Sequence, residues 1–549
     1  MGFPPSTTNN EEQSNAALNS PELFVELVSL YFNYIHNIAH SVFHEPSFMH
    51  RLKHGKAPLV HVYAIYSDNS IFRNIPPYIR GKLYATKAIN YCHENMVSPD
   101  LETVQGFLLV GYYFGGEGNT HGKYVYIGMA RLHAHLVPHE NFTTPVLREE
   151  HRRTWLSIQI ASHWSASDMA MEPTSFFYEP IYRPKIDDAE FRTPGPDLFE
   201  GPVSPPPQYG MWAQMAQTLN IFTKINTLLR RLSQDSIQFH QYCEEAAILE
   251  HDLDRWAEDL PPTLIYNYDN FMHMIGKKMG QIFLSMHIGY YHFRQMLFFP
   301  FLDSRLTRST TISRAAKCKE SATIVSNILR NSETTPGCKM IYFIYGHIAV
   351  ISSSVQLHTL LFSDDQPERN LARDGLVSNF QYLMNLKLYW RVVEYHVRTI
   401  TSPPRSIANF VILQVAHLRI FQNSCKDSLL NPFALDSWMA RFLTEHTSTL
   451  SQRLIQVDNT NLSSPGTDIV VTDPIHPVEG ITTAINPGSQ VIDTEELEPA
   501  GTEMSEIGTT DYNDLSRLIG SQGMSGQAIV DSALSWLLDD QSQGVQDSC

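Results

Sequence analysis

Four histidines that lie close together in the sequence come nearest to forming a metal-binding group. They are His121, His133, His135 and His139. His135 and His139 have the i, i+4 spacing that puts two imidazoles on one face of a helix, but Pro138 interrupts that turn. No H-E-x-x-H motif and no flanking cysteine completes a zinc site. We therefore interpret these histidines as structural and predict no metal site. A helical enzyme built on them is the least favoured hypothesis.

The segment GGEGNTHGKY, residues 115–124, has the glycines and the lysine of a phosphate-binding loop at the wrong spacing. Gly116 and Gly122 are one residue further apart than G-x-x-x-x-G-K requires, and Tyr124 stands where a magnesium-binding Ser or Thr is needed. The sequence also contains no G-x-S-x-G nucleophile motif. We predict a glycine-rich turn between two helices, no enzyme activity and no bound cofactor.

The cysteines and the basic residues do not form a DNA-binding pattern. The six cysteines are scattered without a C-x-x-C pair, which is typical of reduced thiols in the cytosol or nucleus. The stretches HRLKHGK and REEHRR are short and diluted by His or Glu, whereas a protein that grips phosphates needs clustered cations. We interpret both stretches as charged helix faces.

Nearly all of the negative charge lies in the C-terminal part of the chain. The formal net charge is −17 at pH 7; residues 458–549 contain 16 Asp and Glu against one Arg, and residues 1–457 are almost balanced at −2. The tail is rich in Ser, Thr, Pro, Gly and Asn, so it cannot bury enough apolar surface to offset chain entropy. We predict that the acidic tail, residues 456–549, is largely disordered, as are residues 1–20.

Two short segments of the tail place bulky apolar side chains among acidic ones. They are DYNDLSRLIG, residues 511–520, and VDSALSWLLDD, residues 530–540. This pattern is typical of activation segments that fold as a helix in a partner's groove. The side chains predicted to bind there are Leu515, Leu518, Ile519, Leu534, Trp536, Leu537 and Leu538. The alternative is a terminal helix that docks back on its own body.

The pattern of residues 21–455 is typical of packed helices. Ser20 and Pro21 form a helix start, and apolar residues follow from Leu23 to Ile38 at three- and four-residue spacing. No alternation of strands and helices and no sustained period-two pattern is present. We predict an all-α fold for this body.

Three further segments refine that prediction. Apolar residues from Tyr242 to Trp256 alternate spacings of four and three until Pro261 ends the helix, and we interpret this helix as part of the core rather than a coiled coil. Residues 340–362 are long enough to cross a bilayer, but they contain Gly, His, Ser and Gln, so we predict a buried helix and no membrane association. Pro, Gly and Asp accumulate in residues 182–208, where we predict an extended loop.

Four elements of this body resemble the fungal-specific transcription factor domain, also called the middle homology region. The first is a Phe-His-x-Pro-x-Phe element, and the second is a Thr-Val-Gln helix followed by a Gly-x-Ala helix that ends in Leu-x-x-His. The third is a Glu-x-Arg-Arg-x-Trp helix, and the fourth is a Trp-to-Leu-Pro helix end. The matching residues are Phe43, His44, Pro46 and Phe48; Thr103, Val104, Gln105, Gly128, Ala130, Leu136 and His139; Glu150, Arg152, Arg153, Trp155 and Pro173; and Trp256, Leu260 and Pro261.

The resemblance implies an all-α regulatory domain of a nuclear transcription factor of fungi, and it implies no catalysis. Members of the family usually bind DNA through an N-terminal binuclear zinc cluster held by six cysteines. The first 20 residues here contain no Cys, Lys or Arg. We therefore expect no zinc in this chain, and DNA contact that is indirect or made by a missing N-terminal module.

Two hypotheses about function follow. In the first, the chain is a transcriptional activator of a biosynthetic (secondary-metabolite) gene cluster or a metabolic pathway, and its tail binds the transcription machinery or coactivators. In the second, it is an interaction protein derived from the same family, without DNA binding of its own. Such a protein would form a homodimer, or would modulate a zinc-cluster factor by forming a heterodimer with it.

Overall fold

The computed structural model describes residues 21–38, 40–69, 77–168, 182–193, 210–302, 308–386, 388–390 and 443–444. These residues form fourteen α-helices and no β-strand, which confirms the predicted all-α fold. The two segments predicted to be disordered, residues 1–20 and 456–549, lie outside the described residues, and so do all the side chains predicted to form the activation segments.

The helices follow one another along the chain with short connections. They are α1 (Pro21–Tyr34), α2 (Glu45–Lys53), α3 (Leu59–Asn69), α4 (Pro77–Glu94), α5 (Leu101–Gly116), α6 (Thr120–Ala134), α7 (Pro145–Asp168), α8 (Met211–Ser233), α9 (Phe239–Glu258), α10 (Tyr268–Gly276), α11 (Gly280–Phe298), α12 (Ser309–Thr334), α13 (Ile344–Phe362) and α14 (Gln366–Leu386). Residues 182–193 form a loop with bends, a turn and one 3-10 helix (Glu190–Arg192), which agrees with the predicted loop. The rest of that prediction, residues 194–208, lies outside the described residues.

Helix α1 begins at Pro21 as predicted but ends earlier than its apolar pattern indicates. It stops at Tyr34, so Ile38 lies beyond the helix although its side chain is buried. The reason is a tight turn in which Asn37 adopts a positive φ of 65° and donates its backbone N–H to the carbonyl of His40 at 2.6 Å. A conformation with positive φ cannot continue a right-handed helix.

The predicted glycine-rich turn between two helices is confirmed. Helix α5 ends at Gly116, Gly118 adopts a φ of 77°, and the side chain of Asn119 caps α6 by accepting the backbone N–H of Gly122 at 2.8 Å. The glycines therefore serve the turn geometry rather than a phosphate.

Helix α5 is the most enclosed element of the N-terminal half and packs against α3, α4 and α6. Gly111 allows the close approach of α6, because a Cβ atom there would lie 2.6 Å from Cγ1 of Ile127. In the second half, α11 packs against α8, α9, α10 and α12, and one continuous apolar core joins the two halves.

Helices α9 and α13 take the places that were predicted for them. The apolar stripe of α9 from Tyr242 to Trp256 is buried, and this helix packs against α8 and α11 rather than in a coiled coil. Helix α13 is enclosed by α12 and α14, and its Ser352 and Ser353 hydroxyls contact the amide of Asn379 at 3.3 and 3.2 Å. No helix among the described residues is long and apolar enough to cross a membrane.

Candidate functional site

Helix α7 carries charged residues into the interior of the protein. Glu149, Glu150, Arg152 and Arg153 are all buried, although such side chains are rarely buried unless they are paired. Their partners come from the segment that follows α1 and from segment 182–193. We call Glu149, Arg152, Arg153 and Asp188 the Arg153 cluster.

Arg153 uses every nitrogen of its guanidinium group. Its Nε donates to Oε1 of Glu149 at 2.9 Å, and its Nη2 donates to the carbonyl of Ile186 at 2.8 Å. Its Nη1 donates to Oδ1 of Asp188 at 2.8 Å and to Oγ of Ser41 at 3.0 Å. Burial alone would lower the pKa of Arg153, but the carboxylates of Asp188 and Glu149 outweigh it and raise that pKa, so the guanidinium is charged.

Both carboxylates of the cluster also bind backbone N–H groups. Oδ2 of Asp188 accepts from the N–H of Trp212, in the first turn of α8, at 3.2 Å. Oε2 of Glu149 accepts from the N–H of Lys185 and from Nη1 of Arg152, each at 3.1 Å. The Arg153 cluster therefore fixes segment 182–193 against both α7 and α8.

The Phe-His-x-Pro-x-Phe element lies next to this cluster. The rings of Phe43 and Phe48 pack with their centroids 5.0 Å apart. Nε2 of His44 contacts the carbonyl of Thr193 at 3.2 Å, so this nitrogen carries the hydrogen and Nδ1 accepts from the hydroxyl of Ser47 at 2.6 Å. Burial lowers the pKa of His44, which agrees with a neutral ring.

Glu150 joins this element to α7. Among the described residues, no cation donates a hydrogen bond to its carboxyl group. Its Oε1 accepts the backbone N–H of His44, the residue that precedes α2, at 2.8 Å. Burial raises the pKa of Glu150 to about 7. A neutral carboxyl group and a carboxylate are therefore close to balance at neutral pH.

The Thr-Val-Gln element completes the group. Nε2 of Gln105 donates to the carbonyl of Val42 and to the hydroxyl of Thr154, each at 3.1 Å. Thr103 lies in the first turn of α5, where its N–H and its hydroxyl both bind Oδ1 of Asp100. Three elements that are far apart in the sequence thus meet around the buried face of α7.

The stretch that contains these three elements matches a known family. Residues 28–258 match the model of the fungal specific transcription factor domain. This stretch resembles a fungal specific transcription factor domain. The expected family resemblance is therefore confirmed, and the matched region runs from within α1 to the end of α9.

Curated relatives of the chain are transcription regulators. An uncharacterised transcriptional regulatory protein of Schizosaccharomyces pombe is 25% identical over 347 residues, which are 56% of this chain and 34% of the relative. The Zn(2)-C6 fungal-type transcription factor FTF1c of Fusarium oxysporum f. sp. lycopersici is 24% identical over 444 residues, 72% of this chain and 47% of the relative. The chain thus spans a third to a half of the length of these relatives. No solved structure matches the chain.

The other residues of the resemblance that the structure describes lie away from the Arg153 cluster, except His139. Nε1 of Trp256 donates to the carbonyl of Gln214 at 3.0 Å and anchors α9 on α8. Gly128 and Leu136 are exposed, whereas His139 accepts from Nη2 of Arg152 at 3.1 Å. Pro173 lies outside the described residues.

The four clustered histidines of the fungal transcription factor domain have separate partners. His133 is buried against the carbonyls of Met129 and Met96, and His135 packs edge-on against Trp155. His121 is exposed, and His139 binds Arg152. Within the described residues, no three His, Cys, Asp or Glu side chains come together as a metal site.

Lys123, the lysine of the segment that resembles a phosphate-binding loop, forms a buried ion pair. Nζ of Lys123 lies 2.6 Å from Oδ2 of Asp168, and both side chains are buried. The lysine therefore ties α6 to the end of α7 and does not face solvent, where a nucleotide would need it.

Burial raises the pKa of all four cysteines in the part of the chain that the structure describes. Burial raises the pKa of Cys92 to about 12 and that of Cys338 to about 11, and it also raises the pKa of Cys318. Thiols with such pKa values hold their protons at neutral pH and react slowly. The four described cysteines are free, in agreement with the predicted reduced thiols.

Two members of the Arg153 cluster, Glu149 and Asp188, were not identified from the sequence. Asp188 is the more distant of the two from Arg153 in the sequence. It lies in a segment rich in Pro, Gly and Asp whose local pattern indicates only a loop. Its partner Arg153 is 35 positions earlier, and no local spacing rule connects the two. Only the burial of Arg153, which the structure shows, indicates that a distant carboxylate is required.

Proposed function

We propose that this chain is a transcriptional regulator, most simply an activator of a biosynthetic gene cluster or a metabolic pathway, that acts in the nucleus. Three family elements contact one another around the buried face of α7, and this supports the proposal. Through these contacts, the residues of the family motifs hold the matched region together as one folded unit. The names of the curated relatives support it as well. The helical domain is the regulatory body, and the acidic tail binds coactivators or the transcription machinery.

In this proposal, the described helical body does not itself bind DNA. The described residues carry no metal-binding group of His, Cys, Asp or Glu, and the curated relatives are two to three times longer than the matched region. We propose that DNA is reached indirectly or through a zinc-cluster module that this sequence does not include.

The decisive experiment is a reporter assay with the full chain fused to a heterologous DNA-binding module. The fusion is expected to activate transcription, and replacing Trp536, Leu537 and Leu538 with Ala is expected to remove most of that activity. A matched control replaces Ile485, Val491 and Ile492, which are apolar residues elsewhere in the tail. Equal output from both triple variants and the parent would contradict the proposed role of the tail.

A second candidate function is supported by the exposed face of α6. Val125 and Leu132 on this helix are 55 and 60% exposed, and a Cβ atom added to Gly128, which lies between them, would meet no atom within 4 Å. Leu136, two residues beyond the end of α6, is 62% exposed. Small and apolar residues on one open helix face are typical of a surface where another helix packs. This face fits the hypothesis of a protein that pairs with a second fungal transcription factor domain, either its own copy or that of a zinc-cluster factor.

The α6 face can be tested through the mass of the protein in solution. The double variant Val125→Asp/Leu132→Asp is expected to shift sedimentation from dimer to monomer, because two carboxylates would be buried in the interface. Ile248→Asp is the control, since Ile248 is 63% exposed on α9, outside the α6 face. A monomeric parent protein that also fails to bind a zinc-cluster factor would overturn this second candidate.

A further inference from the structure

We propose that a cavity at the centre of the helical body binds a compact, neutral aromatic molecule that carries a hydrogen-bond acceptor oxygen. The cavity has a volume of about 100 Å³ and lies among α5, α7, α8, α11 and the start of α13. An engineered, fully enclosed cavity that holds benzene is larger, at about 150 Å³. The present cavity is partly open to solvent, so a ligand slightly larger than its enclosed volume can extend through the opening. The proposal concerns binding alone and does not depend on the function proposed above.

The walls of the cavity are mostly apolar and aromatic. Trp164, Trp212 and Phe293 supply flat ring surfaces, and Met286 and Ile348 are among the aliphatic side chains that line it. Such walls favour a planar, apolar ligand, because pockets for small molecules combine apolar surface with a few polar groups that fix orientation.

One residue that lines the cavity, Trp212, has a polar atom without a partner among the described residues. Trp212 is only 2% exposed, and its indole Nε1 is buried without a hydrogen bond. Buried N–H donors are almost always satisfied, because a donor that is removed from water without a new partner destabilises the fold. Since the indole nitrogen can only donate, the group that satisfies it must be an acceptor, such as a carbonyl or ether oxygen.

The other polar groups in the wall already have partners, so a charged ligand would find no counter-ion. Lys123 is paired with Asp168 at 2.6 Å. The hydroxyl of Tyr345 donates to Oγ of Ser285 at 2.8 Å, and Ser285 in turn donates to the carbonyl of Gln281 at 2.9 Å. Burying an unpaired charge is costly, and the ligand is therefore neutral.

Gly289 provides a way to close the cavity without disturbing the core. It lies in the wall within α11, it is partly exposed, and a Cβ at this position would meet no atom within 4 Å. A leucine side chain at this position extends into open space, and it also improves helix propensity. Gly276, an exposed helical glycine in α10 with equally open surroundings, offers the same substitution away from the cavity.

The test uses two probes of nearly the same shape, acetophenone and α-methylstyrene, in which a carbonyl oxygen is replaced by a methylene group. Binding to the full chain is measured by saturation-transfer NMR and by the shift in melting temperature. Acetophenone is expected to bind about fivefold more tightly than α-methylstyrene, because only its oxygen satisfies the indole N–H. Trp212→Phe is expected to remove this difference between the two probes.

The variants distinguish cavity binding from attachment to the surface. Gly289→Leu is expected to abolish binding of both probes while the protein stays folded, and Gly276→Leu is expected to bind like the parent. Saturable binding that survives Gly289→Leu, or a preference for acetophenone that survives Trp212→Phe, would overturn the proposal. Absence of saturable binding of either probe to the parent chain would overturn it as well.

Discussion

Arg153 and Asp188 form a buried ion pair, 2.8 Å long, that joins the middle of α7 to the loop segment 182–193. The pair positions segment 182–193 against the Phe-His-x-Pro-x-Phe element, because Thr193 at the end of that segment contacts His44. Through Trp212 it also holds the start of α8, whose side chains line the central cavity. One interaction thus connects the family motifs to the cavity.

Breaking this pair is expected to destabilise the whole domain. Asp188→Asn leaves the buried charge of Arg153 with one carboxylate fewer, and we expect a loss of about 3 kcal/mol in the free energy of unfolding, measured with urea. The control is Glu245→Gln, which removes the half-exposed pair of Glu245 with Arg231 and is expected to cost less than about 1 kcal/mol. Equal losses for the two variants would contradict the role given to Asp188.

The ionisation of Glu150 is expected to make stability depend on pH. Its pKa is about 7 in the folded protein against 4.5 ordinarily, so the folded state holds this proton more tightly than the unfolded chain does. The resulting stabilisation is complete below about pH 4.5 and is lost as pH rises through about 7.

Comparison with Glu150→Gln isolates this effect. The variant should gain stability relative to the parent protein as pH rises from about 4.5 to 7, by on the order of 3 kcal/mol, with a constant difference above that pH. Urea unfolding of both proteins across this range measures the difference. A difference that does not change with pH would show that Glu150 titrates normally.

Two glycines in neighbouring helices are expected to respond in opposite directions to the same substitution. Gly111→Ala forces a Cβ to within 2.6 Å of Ile127 and should destabilise the protein by about 1–3 kcal/mol. Gly128→Ala meets no neighbour and should stabilise α6 by about 0.5–1 kcal/mol. Thermal unfolding of the two variants measures both effects, and stabilisation by Gly111→Ala would contradict the close packing of α5 on α6.

A double-mutant cycle can establish that Lys123 has a structural role. Lys123→Met alone and Asp168→Asn alone are each expected to cost about 3 kcal/mol, because either change removes one charge of a close, buried ion pair. The double variant should cost less than the sum of the two single variants, with a coupling of at least about 1 kcal/mol in urea unfolding. Additive losses would mean that the two residues do not interact.

Much of the helical fold could be predicted from local sequence. Pro21 predicted the start of α1, the apolar stripe predicted the buried face of α9, and the polar residues within 340–362 indicated a buried rather than a membrane helix. Such signals are local, because helix starts and amphipathic periods depend on residues a few positions apart. The early end of α1 could not be predicted in this way, since the positive φ of Asn37 is part of a turn closed by His40.

The residue types and their short-range spacing alone determined three properties of this protein. They are the all-α class, the resemblance of several segments to family motifs and the acidic character of the tail. Composition and local spacing are properties of the chain itself and do not depend on how it folds. Only the tertiary structure decided that Arg153 pairs with Asp188, that Gln105 and Glu150 reach the segment after α1, and that Trp212 faces a cavity without a hydrogen-bond partner among the described residues. These contacts join positions dozens of residues apart, and their geometry is set by how the helices pack, which no local pattern in the sequence records.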